Sequence, residues 1–253
     1  MIRAIRSELL KLRTARLPWA LLALTVGLAT FHNVLFDSNA GGTGHASIPS
    51  LGTYSGQSRA IGIPAELLLL ASVMGIIVAS GEFRHKTATA TYLAIPNRIE
   101  VLGAKTIAAA AIGSLFGLAG AAATTVVGLS FTAAGGHHLL LTAGTIARYA
   151  VGASLASALL AGIGVALGTL IRAQIGAIIA TFVWGFVIEQ AVGGVYSSAQ
   201  RYLPYTAAAS MAGVKLGDAA TPLPFAAATA LLAAVALLIG LLAIRTSLNA
   251  DIT

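Results

Sequence analysis

The feature that most constrains this chain is a series of six apolar runs, each about as long as the hydrocarbon core of a bilayer is thick. They cover residues 18–36, 61–80, 105–131, 142–170, 175–192 and 225–244, and a helix needs roughly 20 apolar residues to cross that core. Charged residues make up only 9% of the chain, too few to cover a water-facing surface. The sequence therefore predicts an all-α polytopic membrane protein with six transmembrane helices.

The segments outside these runs predict the rest of the architecture. Residues 1–17 are basic and carry Ile2, Ile5, Leu9 and Leu12 on one helical stripe, which is typical of an amphipathic helix on an anionic membrane surface. A plain basic flank of the first span is the alternative. The remaining predicted boundaries are 18–244 for the transmembrane domain, 82–104 for a charged segment, 193–224 for short outer or re-entrant helices, and 245–253 for a polar tail.

Small residues repeat every four positions in two of the apolar runs. Gly113, Gly117 and Ala121 form one such series, and Gly164 and Gly168 form another. Small residues at this spacing let two membrane helices approach closely. We therefore expect the third and fourth spans to pack tightly against their neighbours.

The basic residues are distributed unequally between the two sides of the membrane. Eleven of the 15 lie on the side of the termini, and cytoplasmic loops carry the excess of Lys and Arg. We therefore expect both termini and the 82–104 segment in the cytoplasm, and the net charge of +7 then reflects membrane orientation rather than nucleic-acid binding. The four on the other side are Arg59, Arg148, Arg201 and Lys215.

The sequence contains no motif that is typical of an enzyme. The P-loop pattern, the H-E-x-x-H zinc pattern and the Gly-x-Ser-x-Gly nucleophile pattern are all missing, and the chain has no cysteine. The adjacent His137 and His138 lack the i, i+4 spacing of helical metal ligands. We expect no catalytic residue, no metal site and no cofactor bound by this chain.

Two acids, Glu66 and Glu189, fall near the ends of predicted spans. A charge inside a membrane is costly, so such residues are either paired or functional. Pairing with Arg59, Arg148 or Arg201 is one interpretation, and a role in a substrate or proton path is the other.

The charged segment after the second span is a candidate surface for a soluble partner. It combines both charge signs and an aromatic ring, Pro96 then interrupts it, and Lys105 opens the third span. Because the chain has no ATP site of its own, this segment is where an external source of energy would act. An ordinary cytoplasmic loop is the alternative. Its candidate contact residues are Glu82, Phe83, Arg84, His85, Lys86 and Thr87.

Two stretches resemble the permeases of ABC-2 type transporters. Residues 7–14 (SELLKLRT) are similar to the helix before the first span of these permeases. Residues 82–87 (EFRHKT), followed by 94–98 (AIPNR) and Ala104-Lys105, are similar to their segment after the second span. The six spans and the short helices before the last one are also similar, and the implied fold is that of a type V exporter.

The resemblance implies the permease of an ATP-binding cassette exporter in a bacterial plasma membrane. Two permeases, as a homodimer or with a paralogue, would pair above two copies of a separate ATPase subunit, which would bind ATP and Mg²⁺. The 82–87 segment would contact the ATPase beside the interfacial helix, and the substrate would be a drug, a peptide, a lipid or a similar molecule. The interfacial-helix residues are Glu8, Lys11, Arg13 and Arg16.

The resemblance also implies that a lipid-soluble substrate passes between the second and fifth spans of the two copies. Met and aromatic side chains make adaptable apolar contacts there, and packing or lipid contact is the alternative for each. The candidates are Val73, Met74, Phe182, Trp184 and Phe186. A non-transporting membrane scaffold and an ion-coupled secondary transporter are the other functions, although the span centres lack the ionisable residues and the sequence lacks the inverted repeats of the latter.

Overall fold

The computed structural model describes residues 1–42, 48–84, 91, 93, 95, 97–214 and 221–249, and within them all regular structure is helical. The N-terminal helix covers Ile2–Thr14. Six long helices, here called the first to sixth spans, cover Arg16–Asp37, Ala65–Arg84, Arg98–Ala134, Ala143–Ile171, Gln174–Val195 and Phe225–Asn249. Three short helices cover Tyr54–Ile61, Ser197–Gln200 and Pro204–Met211.

The long helices have the length and composition of membrane spans. All but the second are long and apolar enough to cross a bilayer, and the second contains the apolar stretch Leu67–Glu82 within its 20 residues. The predicted all-α, six-span architecture, with an amphipathic N-terminal helix and short helices before the last span, is confirmed.

The second and fourth spans form the centre of the bundle. The fourth packs against the second, third and sixth spans. In the second span every side chain from residue 67 to residue 80 is buried except that of Ile77. The first, fifth and sixth spans instead expose many large apolar side chains, as helices that face lipid require.

Glycines make the close contacts of this centre possible. Gly113 and Gly117 lie against the backbone of the fourth span, and Gly164 and Gly168 lie against that of the second. A Cβ atom at any of these four positions would overlap a facing carbonyl oxygen. The predicted small-residue faces are therefore confirmed as helix contacts.

The chain before the second span differs from the sequence prediction. Residues 37–58 are predicted as an exposed loop and the second span from residue 61, but Tyr54–Ile61 is a separate helix and the span begins at Ala65. Thr53 caps the short helix by accepting the amide hydrogen of Gly56 at 3.1 Å. Pro64, which lacks an N–H group, separates the two helices.

The polar Gln57 holds this short helix inside the protein. Its amide nitrogen donates to the carbonyl oxygens of Leu51 and His138, at 3.0 and 2.7 Å, and its amide oxygen accepts from the N–H of Leu140 at 2.7 Å. The polar sequence before the second span predicts a solvated loop. It is packed instead because the side-chain amide of Gln57 forms hydrogen bonds with three backbone groups.

The third span is longer than its apolar run predicts. Its helix begins at Arg98 rather than at residue 105, because the side chain of Asn97 accepts hydrogen bonds from the amides of Ile99 and Glu100. The last third of the predicted 82–104 segment is therefore continuous with the third span.

The N-terminal helix and the last turns of the sixth span approach the same end of the bundle. Gly240, near the end of the sixth span, lines a small cavity together with Leu102 and Thr106, near the start of the third. The N-terminal helix packs on this same part of the third span. We call this end of the bundle the N-terminal side.

Filling a glycine contact tests the close packing of the second and fourth spans. In Gly164→Leu the new side chain meets the backbone of Ser72, so we expect the free energy of unfolding to fall by about 3 kcal/mol. Chemical unfolding in detergent micelles measures this. A Cβ at Gly27 meets no described atom within 4 Å, so Gly27→Leu is the matched control, and equal losses in both variants would contradict the packing.

Candidate functional site

Four charged side chains join the N-terminal helix to the second and third spans. The ammonium group of Lys11 lies 2.6 Å from a carboxylate oxygen of Glu8 and 3.1 Å from one of Glu82. The ammonium group of Lys105 lies 3.3 Å from the other Glu8 oxygen and 2.9 Å from Glu82. Each acid thus contacts both lysines, and we call these four residues the charged junction.

The junction is a balanced set of charges at the edge of the apolar bundle. Glu8 and Lys105 are only 6% and 5% exposed, so each depends on its partners to offset the loss of hydration. Lys105 also lies 3.5 Å from the carbonyl oxygen of Val78, and Thr91 donates to Glu82 at 3.1 Å. Two carboxylates and two ammonium groups leave no net charge.

Lys11 is the more exposed of the two lysines. Burial lowers the pKa of its ammonium group, but hydrogen bonds and charge interactions with Glu8 and Glu82 outweigh this effect, and the pKa is raised above its ordinary value. Lys11 is therefore fully charged at neutral pH, and the junction keeps its balance.

The N-terminal helix turns a different face to the protein than its apolar stripe predicts. Ala4, Glu8 and Leu12, spaced by four residues, are buried, whereas Ile2 is 76% exposed. The charge of Lys105 lies on the bundle side, so Glu8 faces inward. Leu12 of the predicted stripe is buried with it, whereas Ile2 and Leu9 remain exposed and available to lipid. At Ala15 the backbone is extended, which separates this helix from the first span.

Two further contacts connect the helix ends around the junction. The N-terminal ammonium group of Met1 forms an ion pair with Glu100 of the third span. The guanidinium group of Arg84, at the end of the second span, donates to the side-chain oxygen of Gln174, which begins the fifth span, at 3.4 Å. Three of the six spans and the N-terminal helix are thus linked at this one edge.

The structure places some of the predicted contact residues in the junction and leaves others on the surface. Glu8, Lys11 and Glu82 meet there, whereas Arg13, Arg16 and Arg84 are exposed. Sequence reasoning missed Lys105 as a site residue, although a lysine at the start of an apolar run is a signal for a buried ion pair. The side chain of Phe83 and all of His85, Lys86 and Thr87 lie outside the described residues.

The predicted substrate residues do not share a surface. Met74 and Val73 are 1% and 6% exposed, because the second span lies in the centre of the bundle. Phe182 and Phe186 stack with their ring centroids 5.7 Å apart, and Phe186 and Trp184 are exposed on the fifth span. Only the fifth-span residues therefore lie where a molecule in the lipid can reach them.

Glu189 is buried and attaches the Pro204–Met211 helix to the fifth span. One carboxylate oxygen accepts from the indole N–H of Trp184 and the amide of Tyr205, both at 3.0 Å. The other accepts from the amide and the hydroxyl of Thr206, at 3.0 and 2.9 Å. The carboxylate thus caps a helix N-terminus, where the amides are otherwise unpaired and the helix dipole favours negative charge.

This arrangement differs from the predicted arginine pairing of Glu189. A carboxylate that accepts four hydrogen bonds from one helix end and one indole is satisfied without a cation. The residues between Trp184 and Glu189 lie in a π-helical segment, Val183–Ile188, which turns both side chains toward the capped helix. The side chain of Glu66 lies outside the described residues.

Unbalancing the junction tests whether its charges depend on one another. In Lys105→Met two acids face one lysine, so we expect a loss of about 3 kcal/mol in the free energy of unfolding. Adding Glu8→Gln restores a one-to-one balance between Glu82 and Lys11, so the double variant regains part of that loss. Unfolding in detergent measures both, and a double variant less stable than the single one would contradict charge balance.

Removing the cap at Glu189 tests the attachment of the Pro204–Met211 helix. Glu189→Gln turns an amide group toward four donors, and we expect a loss of about 3 kcal/mol in unfolding free energy. Trp184→Phe removes only one donor and is the graded control, with an expected loss of about 1 kcal/mol. Release of the helix should accelerate proteolysis between the fifth and sixth spans. The rate of this proteolysis therefore measures the loss of the cap locally.

A comparison with known protein families identifies the family of this chain. A family model described as ABC-2 family transporter protein matches residues 4–188, which include most of the N-terminal helix, the whole charged junction and most of the first five spans. A search of curated proteins finds no match. The matched region is well over half of the chain, and this multi-pass membrane protein therefore belongs to the ABC-2 transporter family, as a permease component.

Proposed function

We propose that this chain is the permease of an ATP-driven exporter in a bacterial plasma membrane, with both termini in the cytoplasm. Permeases of this family generally work in the membrane with an ATP-binding subunit. The observation that carries the proposal is the charged junction, where the N-terminal helix and two spans meet at the edge of the bundle. Two copies of the ATPase subunit would bind ATP and Mg²⁺ and dock on this N-terminal side.

The junction is suited to pass a movement from a docked subunit into the membrane. Glu82 lies at the end of the second span and contacts Lys11 of the N-terminal helix and Lys105 of the third span. A push on Glu82 would therefore reach three helices through charged contacts. Because the second span is the packed centre of the bundle, its displacement moves its neighbours too.

The substrate path proposed for this chain follows the fifth span. Phe182, Trp184 and Phe186 present aromatic rings at or near the lipid-facing surface, which supports a lipid-soluble substrate such as an apolar drug or a lipid. In a pair of permeases, either two copies or a copy and a paralogue, this surface would face the path. Val73 and Met74 would position the second span from inside the bundle rather than touch the substrate.

Replacing Arg84 tests the proposed docking of the ATPase. Arg84 is exposed beside the junction, and an arginine anchor in an interface often contributes more than 1 kcal/mol. In Arg84→Ala we expect permease-dependent ATP turnover, measured at limiting ATPase concentration, to require roughly tenfold more ATPase subunit. The permease should remain folded, with an unchanged melting temperature.

Arg148→Ala is the matched control, because Arg148 is also exposed but lies on the opposite side of the bundle. It should leave the titration with ATPase unchanged. If Arg84→Ala titrates like the wild type, the docking assignment is wrong. If the wild-type permease never alters ATP turnover of its partner, the proposal of an ATP-driven permease is wrong as a whole.

A further inference from the structure

A cavity of about 690 Å³ lies between the N-terminal helix and the bundle. Its volume falls within the range of small-molecule sites. The charged junction lines part of it, together with residues of the N-terminal helix, residues 91 and 95 and the start of the third span. Apolar residues of the first and second spans, including Leu17 and Met74, line another part. The transport proposal uses the charged junction but gives no role to the rest of this cavity.

Along the second span the lining of the cavity changes from charged to apolar. Met74, Val78 and Glu82 line it from the second span at intervals of four residues, so they occupy one helix face over about 12 Å. Glu82 belongs to the charged junction, whereas Met74 lies deep in the bundle. A ligand that fills the cavity lengthwise therefore has a polar head and an apolar tail.

The charges at the mouth favour an anionic head. Within the junction the acids are neutralised by the lysines, and Lys11 is the lysine whose side chain remains 51% exposed, against 7% for Lys105. The N-terminal helix, which forms one wall of the cavity, also carries four exposed arginines outside the cavity lining: Arg3, Arg6, Arg13 and Arg16. Basic residues on a helix at a membrane surface attract anionic lipid headgroups.

We propose that this cavity binds one acyl chain of an anionic phospholipid from the leaflet on the N-terminal side, with the lipid phosphate at Lys11. The mouth lies where the spans end, which is the depth of lipid headgroups. The apolar end accepts the chain, and the bound lipid fills the space between the N-terminal helix and the bundle. The site makes the position of that helix depend on the lipid, and it does so without the ATPase.

Native mass spectrometry of the purified chain tests this with phosphatidylglycerol and phosphatidylcholine added separately. The wild type should retain one phosphatidylglycerol and bind it about tenfold more tightly than phosphatidylcholine. Gly81 lines the cavity, and a Cβ there meets no described atom within 4 Å, so Gly81→Leu fills the cavity and should weaken lipid retention about tenfold. Gly27→Leu adds the same side chain at an open position of the first span and should retain the lipid.

Lys11→Gln combined with Glu8→Gln leaves Glu82 paired with Lys105 and so tests the headgroup without unbalancing the junction. This double variant should lose the preference for phosphatidylglycerol while the acyl chain still binds. Phosphatidylglycerol with a photoreactive acyl chain gives a readout in the wild-type protein, where folding of a variant is not in question. The label should fall on the cavity-lining parts of residues 4–18 and 74–82. Equal affinity for both lipids, retention of lipid by Gly81→Leu, or a label confined to the exposed faces of other spans would each overturn the proposal.

Discussion

Two acids facing two lysines at the edge of an apolar bundle are the interaction on which this structure depends. Glu8 and Lys105 are buried, and neither would be stable there alone, because a charge removed from water needs a partner that restores what hydration supplied. Since each of the two acids contacts both lysines, the N-terminal helix is fixed to the second and third spans together. The helix is therefore a part of the bundle as well as a membrane-surface element.

Glu189 satisfies the same requirement in another way. It has four hydrogen-bond donors from one indole and the first turn of the Pro204–Met211 helix. The two sites lie in different parts of the bundle, and each attaches a short helix to a span. In a protein whose spans are held mainly by close packing of small residues, buried carboxylates are thus used to fasten the elements that do not cross the membrane.

The arrangement of the bundle also limits where function can act. The second span is enclosed by its neighbours. Pro64 precedes it at one end, and Glu82 of the charged junction lies at the other. The fifth span is the opposite, with aromatic and branched side chains on a lipid-facing surface. Membership of the ABC-2 family makes a membrane permease of this chain. The enclosed span suits force transmission in that permease, and the open one suits contact with a partner or a substrate.

The sequence by itself determined the six spans, the amphipathic N-terminal helix and the small-residue faces, because these follow from local composition and from helical spacing. It also singled out Glu82 through charge in an apolar chain, and Glu8 and Lys11 through the resemblance to ABC-2 permeases. Only the tertiary structure decided which of them meet, because Lys11, Glu82 and Lys105 come from elements far apart in the chain and their pairing depends on helix rotation. For the same reason the sequence did not show that Met74 is enclosed while Trp184 is open, or that Glu189 caps a helix rather than pairs with an arginine. Hydropathy sets which segments enter the membrane, whereas the packing of one helix against another sets which face of each is buried.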